Sequence, residues 1–70
     1  MGAAKARCYR TGRVESDFGP LRCHGSAWDL LVGDELYHPD GTVFVVEKIH
    51  RALEPDGLGD IYFNIDVVIK

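Results

Sequence analysis

The sequence lacks the long apolar runs of membrane proteins and the closely paired cysteines of metal sites. No apolar run approaches the roughly 18 residues of a membrane-spanning helix, and the N-terminal segment has no apolar stretch like that of a signal peptide. Fourteen residues separate Cys8 from Cys23, whereas structural zinc sites usually show C-x-x-C pairs. We therefore predict a cytoplasmic protein that makes no membrane contact and holds no metal or cofactor. Its two thiols should be free, although a hairpin that placed them face to face would permit a disulfide under oxidation.

Catalytic signatures are also missing. The chain holds two serines, three histidines and eleven acidic residues, but no G-x-S-x-G, no H-E-x-x-H and no phosphate-binding glycine loop. A domain of 70 residues has little room for a deep pocket once its core is filled. The sequence therefore predicts a single domain over residues 1–70 that is not an enzyme.

Charge is distributed unevenly along the chain. The first thirteen residues carry four basic and no acidic side chains, which leaves 4 basic and 11 acidic residues, a charge of −7, for the remainder. An acidic body repels phosphate backbones, so non-specific nucleic-acid binding is disfavoured, although a basic N-terminal strand could still make a local contact. The simpler interpretation is a solvated strand that pairs with the acidic body of its own fold.

The strongest positive signal is the alternation of apolar and polar residues at the C-terminal end. Between Asp60 and Lys70 the large apolar side chains occupy every second position, at Ile61, Phe63, Ile65, Val67 and Ile69. A period of two over this length predicts a half-buried strand of an antiparallel sheet. Since such a strand needs a matching apolar layer and little helix is available, the fold class is all-β.

Turn residues divide the rest of the chain into further strands. The sequence predicts strands over 4–14, 21–24, 34–38 and 42–52, with a turn at 15–20 and a tight hairpin turn at His38-Pro39-Asp40-Gly41. Ser26 is suited to cap one short helical turn over 27–32. We therefore expect an antiparallel barrel, or a strongly bent sheet, of about five strands.

Two segments resemble the SH3-like small barrels. They are Val32-Gly33-Asp34-Glu35-Leu36 and Asp40-Gly41-Thr42-Val43-Phe44-Val45-Val46. The resemblance covers residues 32–49 and implies a bent barrel or half-barrel, a fold that hosts unrelated functions. In its small size and its lack of catalytic motifs, the chain resembles the short accessory or regulatory proteins of bacteria and their phages.

Two surfaces are candidate binding sites. The first is an aromatic platform for another protein, formed by Trp28, Tyr37, Phe44 and Tyr62. The second is the C-terminal strand, which we predict to be a sheet edge that pairs with a partner's strand or forms a homodimer. Our main hypothesis is therefore a non-enzymatic protein–protein interaction module.

The alternative hypothesis is a nucleic-acid-associated module that uses the basic N-terminal strand. Its phosphate contacts would be Lys5, Arg7, Arg10 and Arg13, with Tyr9 as a stacking residue. The acidic body of the chain makes this partner the less favoured of the two.

Overall fold

Residues 3–70 are described by a computed structural model, in which six antiparallel strands form a closed barrel. In chain order the strands are β1 (Ala3–Tyr9), β2 (Val14–Ser16), β3 (Gly19–Cys23), β4 (Glu35–Tyr37), β5 (Val43–Pro55) and β6 (Ile61–Ile69). A single 3-10 turn, Ala27–Asp29, lies between β3 and β4. The all-β prediction is confirmed, with six strands rather than five. The predicted domain over 1–70 also includes Met1 and Gly2, which lie outside the described residues.

The C-terminal strand is extended, as the alternation predicts. Phe63, Ile65 and Val67 are buried in the barrel, while Ile69 at the end of β6 is partly exposed. Strand β6 pairs with β1 on one side, from Ala3 opposite Val68 to Tyr9 opposite Tyr62, and with β5 on the other. The prediction that β6 lies at a sheet edge is therefore wrong, because closure of the barrel pairs its backbone on both sides.

The N-terminal region contains one more strand than predicted. β1 ends at Tyr9, and a turn follows in which the Tyr9 amide donates to the Arg13 carbonyl at 2.9 Å. Gly12 has a φ of +103° in this turn, a conformation that side chains with a Cβ rarely adopt. The predicted strand over 4–14 is thus divided into β1 and the first residue of the short β2, whose Val14 pairs with Cys8.

The turn before β5 matches its prediction. The Gly41 amide donates to the His38 carbonyl at 3.0 Å, and the Asp40 carboxylate accepts from the Thr42 amide at 2.8 Å. Gly41 has a φ of +96°, as a bulged type I hairpin requires. The helical turn is shorter than predicted, because only 27–29 are helical, and the Ser26 hydroxyl caps it by accepting from the Trp28 amide.

Side chains from all six strands and the 3-10 turn fill the barrel interior. The buried core consists of Ala6, Cys8, Val14, Leu21, Ala27, Leu30, Leu36, Phe44, Val46, Phe63, Ile65 and Val67. Aromatic rings close both ends. Trp28 packs on Phe63 at one end, with ring centres 5.2 Å apart, and Phe18 stacks on Phe44 at the other, at 5.5 Å. With the interior filled, functional groups are confined to the surface.

Strand β5 is much longer than the strand beside it. Only Val43–Val45 pair with β4, and the backbone of Val46 bonds to Gly33 and Asp34. From Glu47 to Pro55, no strand among residues 3–70 pairs with the side of β5 that faces away from β6. We call this segment the β5 edge. The loop that follows it, Asp56–Asp60, is called the tip.

None of the helical structure within residues 3–70 has the length and apolar character that a membrane crossing would require.

Candidate protein-interaction site

The four aromatic residues predicted to form a contact platform lie in different parts of the barrel. Phe44 is a core residue, only 2% exposed. Trp28 is half-buried against Phe63 at the end of the barrel opposite Phe44. Tyr62 is buried on the outer face beneath Arg7, whose guanidinium carbon lies 4.7 Å from the ring centre. The structure therefore does not bring these residues together on one face, since alternation along the strands points Phe44 inward and Tyr62 outward.

Tyr37 lies on the outer surface, but its hydroxyl is used within the fold. It donates to Glu35 at 2.9 Å, and Lys70 donates to the other carboxylate oxygen. Because the single hydroxyl proton goes to Glu35, Nε2 of His24, at 2.7 Å, must be the donor to Tyr37. The Lys70 and Tyr37 hydrogen bonds lower the pKa of Glu35, and donation to Glu35 raises the pKa of Tyr37. These bonds connect His24, the residue after β3, with β4 and Lys70.

The basic strip is partly assembled in the structure. A polar groove of about 490 Å³ is lined by Lys5, Arg7, Tyr9 and Arg13, together with Glu15, Ser16, Asp17 and Asn64. Arg10 is absent from the groove, because it lies in the turn after β1 and pairs with Asp60, with Nε 3.5 Å from a carboxylate oxygen. Four of the five predicted residues therefore share one surface.

Stacked side chains cover the two tyrosines beside this groove. The guanidinium carbon of Arg13 lies 3.8 Å from the centre of the Tyr9 ring, and the Tyr9 and Tyr62 rings are 5.3 Å apart. Arg7 completes the row on Tyr62. Tyr9 and Tyr62 are only 6% and 8% exposed, so neither presents an open ring face to a nucleic-acid base. The predicted stacking role of Tyr9 does not fit this geometry.

Acidic residues offset the charge of the groove. In the strand register Arg7 lies opposite Glu15, and Lys5 lies opposite Asp66. Asp17 also lines the groove. Opposite charges on one surface partly cancel even without direct ion pairs, so the groove attracts phosphate less than the sequence of the N-terminal strand alone indicates.

The two thiols are free and occupy different environments. Cys8 is fully buried, and burial, with a smaller contribution from nearby Cys23, raises its pKa to about 12. Cys23 is half-buried and donates to the Gly25 carbonyl at 3.0 Å; burial raises its pKa as well. Strand β2 separates their strands, so they are not the cross-strand neighbours that a turn at 15–16 would produce. Within residues 3–70, no three His, Cys, Asp or Glu side chains are grouped to hold a metal ion.

The β5 edge and the tip present apolar side chains that are absent from both predicted binding surfaces. Leu53 on the edge is 53% exposed, and Leu58 on the tip is 90% exposed. Exposed leucines are ordinary when they are scattered, but these two belong to one hairpin beside an unpaired strand edge. The signal for Leu58 is present in the sequence, where it stands between two glycines in a polar loop.

Hydrogen bonds hold the tip in a defined conformation. One carboxylate oxygen of Asp56 accepts from the amides of Leu58, at 2.6 Å, and Asp60, at 3.1 Å. These bonds lower the pKa of the Asp56 carboxyl. The Asp56 amide donates to the Asp60 carbonyl, and the Arg10 amide, in the turn after β1, donates to the carbonyl of Ile61, the residue that follows the tip. Leu58 is thus displayed on an ordered loop.

A second apolar surface lies at the far end of the barrel. Phe18, Phe44 and Ile69 line a depression of about 340 Å³, together with His38, Asp40 and Thr42. His38 is held there by a bond between Nε2 and the Phe18 carbonyl, at 2.8 Å. Since Phe18 covers Phe44 by stacking, we interpret this depression as the closed end of the core.

Comparison of the chain with protein-family models, with curated proteins and with solved structures finds no match.

Proposed function

We propose that the protein is a non-enzymatic interaction module of the cytosol that binds a protein partner through the β5 edge and the tip. The observation that carries the proposal is the open stretch of β5, nine residues from Glu47 to Pro55, which has a strand on one side only. Backbone N–H and C=O groups along such an edge form a template for an added strand.

The exposed leucines support the same surface. Leu53 lies on the edge and Leu58 on the adjoining tip, so a partner strand that pairs with β5 would also meet apolar side chains. The bonds from Asp56 order the tip before binding, which reduces the conformational entropy lost when Leu58 is immobilised. Backbone pairing would supply affinity, and the leucines would supply specificity.

The surroundings of the histidines support a role other than catalysis. Each of the three rings bonds within residues 3–70: His24 to Tyr37, His38 to the Phe18 carbonyl and His50 to Asp66, at 2.7, 2.8 and 3.2 Å. His24 donates to the Tyr37 hydroxyl, whose own proton goes to Glu35, and the other two rings bond a carbonyl and a carboxylate, so none of these bonds pairs a histidine base with a serine, threonine or cysteine nucleophile. A binding role requires no such arrangement.

Site-specific photo-crosslinking tests the proposed surface. A photoreactive amino acid is placed at Leu53, at Leu58 or, as a control of similar exposure away from the β5 edge, at Phe18, which is 52% exposed. We expect one protein to be captured in the native cell from both 53 and 58, and not from 18. Leu58→Ser should weaken that capture from 53, whereas Phe18→Leu should not. Equal capture from all three positions, or none, would refute the proposal.

A second candidate function, nucleic-acid binding, is favoured by one observation. Lys5, Arg7 and Arg13 line a single groove, and no carboxylate within residues 3–70 lies within 4 Å of their charged nitrogens. Oligonucleotide binding that weakens steeply with salt, and that is lost when Arg7, Arg10 and Arg13 are changed to Ala, would favour this function. Absence of binding at low salt would eliminate it.

A further inference from the structure

The β5 edge is complementary in charge to a reversed copy of itself. Its first part carries Glu47, Lys48, His50 and Arg51, and its last part carries Glu54. With Arg51 at the centre of an antiparallel pair, Glu47 lies opposite the uncharged Pro55. When two such edges run antiparallel with Arg51 at the centre, Lys48 of each copy lies opposite Glu54 of the other. The apolar residues match in the same register, because Ile49 lies opposite Leu53. Cross-strand pairs of these kinds stabilise antiparallel sheets.

We propose that the partner at the β5 edge is a second copy of this chain, paired antiparallel about a two-fold axis at Arg51. This inference rests on the proposed function and identifies the occupant of the same surface. A two-fold axis places the same patch on both subunits, so each favourable pair occurs twice. The two six-stranded barrels would then share a continuous sheet across the axis.

Each step of the association has a basis in the surface of the monomer. Pairing would satisfy the backbone groups of the β5 edge that have no strand partner, and it would cover Leu53 with Ile49 of the second copy. Ile49 is itself half-buried against the core, so its position is fixed before association. Glu54 already accepts from Asn64 at 2.7 Å and has a carboxylate oxygen free for Lys48 of the other copy.

Two features limit the strength of the dimer. Arg51 faces Arg51 of the second copy at the axis, where like charges repel. Within its own chain, each Arg51 guanidinium lies over Phe63, 5.6 Å from the ring centre. The register between β5 and β6 shifts between His50 and Glu54, and such irregularities are a common protection of edges against uncontrolled pairing. We therefore expect a reversible dimer that forms as protein concentration rises.

Charge reversal tests the register. Sedimentation velocity over about 5 to 500 µM should show a monomer–dimer equilibrium. Lys48→Glu and Glu54→Lys should each raise the dissociation constant by roughly tenfold or more, and the double variant should return it to within about threefold of the original. Arg22→Glu makes the same change of net charge as Lys48→Glu, at an exposed position of β3, and should have no effect. Circular dichroism verifies that every variant is folded.

The axis provides an independent test. Arg51→Ala removes the repulsion and should strengthen the dimer, while Arg51→Cys should give a disulfide-linked dimer on mild oxidation, because a residue on a two-fold axis meets itself. With Leu53→Cys, position 53 of one copy lies opposite Ile49 of the other, so the two introduced thiols should not form a disulfide. Faster cross-linking from 53 than from 51 would overturn the register.

The inference and the proposed function fail separately. A protein that stays monomeric at every concentration, or a dimer insensitive to both charge reversals, refutes the second copy as the occupant. If the photoreactive positions 53 and 58 still capture a different protein in that case, the interaction surface remains valid with another partner. A monomer without any capture would refute both.

Discussion

Replacement of Phe44 by Ala should destabilise the protein far more than replacement of Phe18, although the two rings stack on one another. Phe44 is 2% exposed and Phe18 is 52% exposed. Truncation of a buried phenylalanine costs about 3–5 kcal/mol, which includes both lost transfer free energy and the cavity left behind. Phe18→Ala loses roughly half of the transfer free energy of a buried ring and one stacking contact, and it should cost about 1–2 kcal/mol.

The size of the domain affects how this prediction is measured. A chain of 70 residues has a free energy of unfolding of about 4–10 kcal/mol, so Phe44→Ala would leave a weakly folded protein. Phe44→Leu, with an expected loss of about 1–2 kcal/mol, provides a variant that remains folded. Urea unfolding can be followed by the fluorescence of Trp28, the only tryptophan, which lies at the opposite end of the barrel from Phe44.

The expected order of destabilisation is Phe44→Ala, then Phe44→Leu, with Phe18→Leu the mildest of the three. If Phe44→Ala and Phe18→Ala had equal effects, Phe44 would not be the core residue described above. A loss below about 1 kcal/mol for Phe44→Ala would contradict its burial directly, and the aromatic platform predicted from the sequence would become tenable again.

Two further predictions concern titrating groups. The folded state lowers the pKa of Asp56, so this group contributes stability above its unfolded pKa, and the contribution is lost as pH falls through the lower folded value. Between about pH 7 and pH 3, the free energy of unfolding measured in urea should therefore fall less for Asp56→Asn than for the unmodified protein. An equal fall in both proteins would contradict the hydrogen bonds of the tip. At neutral pH, Cys23 should react with a thiol reagent in the native protein, whereas Cys8, buried and with a pKa raised to about 12, should react only on unfolding. Cys8→Ser should remove the slow phase, and two equally fast phases in the unmodified protein would refute this arrangement.

The sequence predicts correctly those elements whose conformation is specified by their own residues. The alternation in β6 and the Pro39-Asp40-Gly41 turn each specify a conformation through their own residues, and both are present in the structure. The predicted strand over 4–14 is wrong at Thr11-Gly12, because Gly12 supplies the positive φ that reverses the chain. Turn chemistry there outweighed the alternation on which the strand prediction relied.

Which strand edge is open could not be predicted in the same way, because it depends on pairing between distant parts of the chain. The sequence shows that β6 is half-buried, but only its ladder with β1 at the other end of the chain removes its free edge. The exposed edge instead arises on β5 from a mismatch of lengths, thirteen residues beside the three of β4. A short β4 closes the barrel at the Phe44 end and leaves Glu47–Pro55 without a second neighbour, so the candidate binding surface is a consequence of closure rather than of any local motif.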